Sequence, residues 1–177
     1  MAYNAYVDTN LIAGKLAQAA LVSGVTKYVA IQSWVVGATD YATSTPVYRV
    51  FKGIPSDAIV TSIKILNEAV AGVTAGLIGL YNVLDFDGVG AIIGSGNQLS
   101  AGFAFSNANT IASAPAEALT AVSIANREKA LWELASQTQA PGAAGPKASA
   151  YDICFTMSSM TTNTANICAI LEYIRGV

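Results

Sequence analysis

A chain of 177 residues is long enough for one domain of ordinary size, with a core that needs neither metal nor disulfide to hold it. It is 53% hydrophobic and only 11% charged, carries a formal charge of −2 and contains no histidine. These values count against nucleic-acid binding, which needs clustered Lys or Arg, and they remove Ser-His-Asp and Cys-His catalysis together with the commonest metal ligand.

Residues 1–24 hold no convincing strand and read as an extended N-terminal arm, with a short helical stretch at 13–21. The arm lacks a basic stretch ahead of an apolar core, so it is expected to be mature sequence without a secretory signal. The domain proper is expected over 25–177. Strands are predicted at 27–36 (KYVAIQSWVV), 47–52 (VYRVFK), 58–68 and 76–83, separated by Gly- and Pro-containing turns at 37–46, 53–57 and 70–75. In the third strand, Ile59, Thr61, Ile63 and Ile65 are expected on one face and Val60, Ser62, Lys64 and Leu66 on the other. In the fourth, Leu77, Gly79 and Tyr81 fall opposite Ile78 and Leu80. Both strands read as largely covered on both faces.

The stretch 85–100 is predicted as a loop, with weak strand character at 91–93 and again at 101–105. A polar connection, SNANTIASAPAEA, follows. From Ser123 the period changes: Ile124, Leu131 and Leu134 recur at helical spacing, predicting an amphipathic helix over about 123–135. Ser123 would be its N-cap, with Glu128, Lys129 and Glu133 outward. Residues 140–148 (APGAAGPKA) read as a surface loop, and two strands at 148–158 and 166–174 close the chain. About eight strands with turns at roughly ten-residue intervals predict a mainly β fold, an antiparallel β-sandwich of jelly-roll type with one short helix.

Candidate chemistry is sparse. Asp85 and Asp87 in LDFDGVG are weak candidates for a cation site, because the remaining EF-hand positions are missing; an Asp/Gly turn is the plainer reading. Gly88, Gly90, Gly94 and Gly96 lack the lysine and Ser/Thr of a phosphate loop and read as turn glycines. Cys154 and Cys168 are expected to be buried free thiols, with a disulfide open to them if the last two strands pair. Trp34, Tyr28, Tyr41, Tyr48 and Tyr81 read first as core, and second as a sugar-stacking platform. No enzymatic activity, cofactor, nucleic acid or membrane is expected. A surface so poor in charge is weakly defended against association, which favours a chain that works inside an assembly.

The order of features, an opening YVDTNLIAG, a core VYRVFKGIPSDAIVTSIKILNEAVAGVTAGLIGLYNV, a short NREKALWELA helix and a final ILEYIRGV strand, resembles small virion structural proteins of tailed phages, in particular capsid decoration (cement) proteins. The resemblance implies a β-sandwich subunit, usually trimeric, made in the host cytoplasm and seated on the outer capsid surface against the major capsid protein. It carries over no catalytic residue. Tyr3, Tyr6, Leu11 and Ile12 of the arm are the interface residues this reading suggests. The alternatives are a minor tail or head-fibre component, or a carbohydrate-binding jelly roll that recognises a host surface.

Overall fold

The computed structural model describes residues 25–37, 45–83, 89–110, 115–122, 126–135, 149–161 and 164–176. Their order is β1 (Val25–Val36), β2 (Val47–Pro55), β3 (Ile59–Asn67), β4 (Gly76–Asn82), β5 (Ser100–Phe103), β6 (Ala116–Glu117), α1 (Leu131–Leu134), β7 (Ala150–Thr156) and β8 (Ala165–Gly176). They form two four-stranded antiparallel sheets, a first with order β1-β8-β3-β6 and a second with order β2-β7-β4-β5. The pairing nests around the β4–β5 connection: β4 pairs with β5, β3 with β6, β2 with β7 and β1 with β8. The β3–β8 and β4–β7 ladders then join these pairs into the two sheets.

Alternation places one face of each sheet in a shared apolar core. From the first sheet come Trp34 and Val36, then Val60, Ile63 and Ile65, then Ile167, Ala169 and Leu171; from the second come Val50, Phe51, Ile78, Leu80, Tyr151, Ile153 and Phe155. Phe155 lies at the junction. Its ring meets Trp34 edge-on at 5.4 Å, Phe51 at 6.4 Å and Phe105 at 6.1 Å, so one side chain ties β1 to β7 and to the loop after β5. Offset or edge-on aromatic pairs of this kind add about 0.5–1.5 kcal/mol each beyond the area they bury.

Three expectations about elements change. The strict alternation expected in β3 is broken by a bulge between Val60 and Ser62, so Val60 shares the core face with Ile63 and Ile65 while Thr61 is exposed. The bulge is held by Glu117 of β6, a strand not anticipated in the polar connection. Its carboxylate accepts from Ser62 Oγ at 2.6 Å, from the Ile63 N–H at 2.9 Å and from the Leu119 N–H at 2.9 Å. The helix expected over 123–135 shrinks to the four residues of α1, and Ser123 lies outside the described residues. The N–H groups that would extend it are engaged elsewhere: Leu131 and Trp132 donate to the carbonyls of Ala58 and Ser56, and Ala130 donates to Glu133 Oε2 at 2.8 Å. Glu128, Lys129 and Glu133 are exposed, as the pattern required. The weak strand character at 91–93 becomes an isolated bridge of Ile92 to Tyr81, and that at 101–105 becomes β5. The N-terminal arm and the 140–148 loop lie outside the described residues.

Candidate functional site

Polar groups concentrate on the outward face of the second sheet. Along β7, Tyr151, Ile153 and Phe155 enter the core, which turns Asp152, Cys154 and Thr156 the other way. Register then sets Arg49 of β2 and Gly79 of β4 on either side of Cys154, and Tyr81 beside Asp152. Arg49 Nε lies 2.5 Å from Asp152 Oδ2, a contact made as an ion pair and not as a well-directed hydrogen bond. Asp152 is fully buried and the Arg49 side chain is 9% exposed. The other carboxylate oxygen accepts from the Gly53 N–H at 2.8 Å. Gly53 stands in the left-handed region at φ 61°, within the stretch where β2 shifts register twice against β7. The ion pair thus sits on the irregularity of β2 and fixes it.

The segment 91–99 covers this face. Its backbone follows the edge of β4, with the Ile93 N–H donating to the Leu80 carbonyl and the Leu99 N–H to the Ile78 carbonyl. Gln98 spans the gap between those bonds: its Oε1 accepts from the Leu80 N–H and its Nε2 donates to the Ile93 carbonyl. Gly79 lets the segment approach so closely that a Cβ there would lie 2.1 Å from the backbone of Gly96. Tyr81, buried against the segment, shares a hydrogen bond with Thr156 Oγ1 at 3.1 Å. Gly94 and Gly96 hold φ of 55° and 63°, the turn role expected of them, while Gly88, Asp85 and Asp87 lie outside the described residues.

Little chemistry is open to this arrangement. Burial, reinforced by the Asp152 carboxylate and only partly opposed by Arg49, pushes the Cys154 thiol up to about 12, so it stays protonated and inert near neutral pH. Both cysteines are free; they lie in different sheets, and Cys168 is half-buried where full burial was expected. Among the described residues no group of three His, Cys, Asp or Glu could hold a metal ion. The aromatic platform does not assemble: Trp34 and Tyr48 are core, Tyr81 is covered, Tyr28 stacks on Tyr173 at 5.1 Å, and Tyr41 lies outside the described residues.

The outward face of the first sheet is different in kind. Val29, Ile31 and Val35 of β1, Ile170 and Ile174 of β8 and Leu66 of β3 lie on it at least partly exposed, and Val35 reaches 45%. Charge on it includes a small network in which Glu172 meets Lys27 at 2.9 Å and Lys64 at 3.6 Å, with Glu117 of β6 opposite Lys64. Sequence reasoning placed the interface in the arm, and Tyr3, Tyr6, Leu11 and Ile12 lie outside the described residues. Val29, Ile31 and Val35 among the odd positions of VTKYVAIQSWVV, and Ile170 and Ile174 among the even positions of ANICAILEYIRG, carried the signal for this face, being aliphatic where an exposed sheet is normally polar. No helix among the described residues is long and apolar enough to cross a membrane. No family model, curated protein or solved structure matches the chain.

Proposed function

We propose that this chain is a non-enzymatic virion structural protein, a jelly-roll subunit that binds the outer surface of a tailed-phage capsid and stabilises the shell. The jelly-roll reading is supported by the nested pairing: an eight-stranded antiparallel ribbon, paired β1 with β8 through β4 with β5 and then rolled, leaves alternate pairs in alternate sheets. The observation that carries the functional reading is the outward face of the first sheet, six aliphatic residues with a few paired charges, Val29, Ile31, Val35, Leu66, Ile170 and Ile174. A protein surface of matching shape would bury that face, at about 25 cal/mol per Å² of apolar area removed from water.

Cement action follows from mass action. A subunit that binds the assembled lattice and not its dissociated parts stabilises the lattice by the free energy of that binding. The partner is the major capsid protein, and self-association is part of the reading, as a trimer if the resemblance holds in full. The test is made on purified particles. The chain should be present in a fixed, high ratio to the major capsid protein, and particles lacking it should release DNA at a lower temperature, restored by adding the purified chain. A copy number of only a few per particle would move it to the tail or head fibre; its absence from particles would refute the reading.

A further inference from the structure

Each sheet has two edges, and three of the four are closed to pairing. β2 is kinked by two register shifts and ends at Pro55, β5 spans only Ser100–Phe103, and β6 only Ala116–Glu117. β1 is the exception. It runs twelve residues, pairs with β8 over its whole length without a register shift, contains no proline, and bears Lys27 as its single charge.

The direction of its backbone groups can be worked out from β8. Asn166 turns its carbonyl to the Glu68 N–H and its own N–H to Glu68 Oε2, so the even residues of β8 face β3 and the odd ones face β1. Since Ile167 pairs with Trp34 and Leu171 with Ala30, the even residues of β1 bond to β8. The N–H and C=O groups of Lys27, Val29, Ile31, Ser33 and Val35 therefore point to the other edge, where none of the described residues pairs with them.

We infer that the free edge of β1 pairs antiparallel with β1 of a second copy, joining two first sheets into one continuous eight-stranded sheet across a two-fold axis. The occupant follows from the edges themselves. A ring requires two different edges that fit each other, and the remaining edges are bulged or too short to match twelve residues, whereas a two-fold contact needs only β1. Charge placement fits as well. The register must set odd residues opposite odd ones, and the two registers that use nearly the whole strand are centred on Ala30 or on Ile31. They place Lys27 opposite Ser33 or Val35 of the second copy, so no like charges meet. The outward aliphatic residues Val29, Ile31 and Val35 of the two copies would then form one stripe. The inference does not rest on the virion reading, and it sets a two-fold contact where the family resemblance implies a three-fold one.

Light scattering on the purified chain should give twice the 18.2 kDa chain mass at micromolar concentration, with a melting temperature that rises with concentration. Ile31→Lys introduces like charges into the paired edge at a site that is half-exposed in the single copy, and should halve the mass. Val29→Pro removes a donor that faces the free edge and leaves the β8 ladder its bonds, and should do the same. In both variants the circular dichroism spectrum should be unchanged. A monomeric or trimeric wild-type chain would overturn the inference, as would a dimer that survives both substitutions. These results are independent of whether the chain is found on particles.

Discussion

Asp152→Asn removes the charge from the buried pair with Arg49 but keeps an acceptor for the Gly53 N–H. Because Asp152 is fully buried and the Arg49 side chain nearly so, the variant removes a charge–charge contact from a place where water is poorly able to replace it. Breaking a buried pair by one partner costs about 3–5 kcal/mol; keeping the Gly53 hydrogen bond, itself worth about 1 kcal/mol, places the expected loss near the lower end, at about 3 kcal/mol. For a chain of this size that is a fall of about 6–12 °C in melting temperature. Arg49→Met should cost a similar amount. The double variant Arg49→Met with Asp152→Asn should lose much less than the sum, since once one charge of the pair is gone the second substitution no longer breaks it. Urea unfolding of the four species closes the cycle. A coupling of about 2 kcal/mol or more is expected, whereas strictly additive losses, with coupling under about 0.5 kcal/mol, would refute the assignment of the pair as one structural unit.

Gly79→Ala places a methyl group 2.1 Å from the Gly96 backbone and should lift the 91–99 segment from β4, at a cost of about 1–3 kcal/mol; faster amide exchange at Ile93 and Leu99 would report it. In the native chain an aromatic disulfide reagent near pH 8 should modify Cys168 well before Cys154, whose thiol is held at about 12, and both should react in denaturant; fast modification of Cys154 would contradict its burial. The Glu172 carboxyl is held below its ordinary value of 4.5, first by the hydrogen bond from Lys27, and Glu68 is held below it by the Asn166 N–H. Below 4.5 the unfolded chain therefore takes up protons before the folded one does, so stability is fully present above that pH and is lost as pH falls through the lowered folded values. Melting temperature followed from neutral pH into this range should decline, and Lys27→Met should flatten the decline; an unchanged slope in that variant would discount the Lys27 contact.

The sequence made the long strands legible and left their irregularities hidden. Period-2 runs such as KYVAIQSWVV and ANICAILEY need only side-chain alternation to be recognised, and β1, β4, β7 and β8 lie close to where that pattern put them. β3 was located but misread at one end, because a bulge moves every later residue to the opposite face and Ser62 gives no local sign of it. What stabilises the bulge is Glu117, more than fifty positions away, in a segment whose composition reads as loop. The helix was over-read for a related reason. Helical spacing of Ile124, Leu131 and Leu134 is only a local preference, and the Ser56 and Ala58 carbonyls compete for the same N–H groups with contacts that spacing cannot reveal. Of the polar cluster, Cys154 was legible as a packed thiol, whereas the Arg49–Asp152 pair joins residues a hundred positions apart and carries no motif.

That pair also explains why the two edges on the β1–β2 side of the molecule behave differently. A kinked strand is a poor template for a neighbour, and β2 is kinked where Gly53 takes a positive φ, a conformation that Asp152 holds by accepting the Gly53 N–H while Arg49 neutralises it. β1 has no such device: its regular ladder to β8 leaves an equally regular row of backbone groups facing away. The most reaction-like constellation in the chain therefore acts on shape, by closing one sheet edge, and the neighbouring edge is left able to pair. If the pair were lost and β2 straightened, both edges would become templates. Asp152→Ala should accordingly aggregate more readily than Asp152→Asn, which retains the acceptor; equal aggregation, followed by light scattering during mild heating, would separate the pair from edge protection.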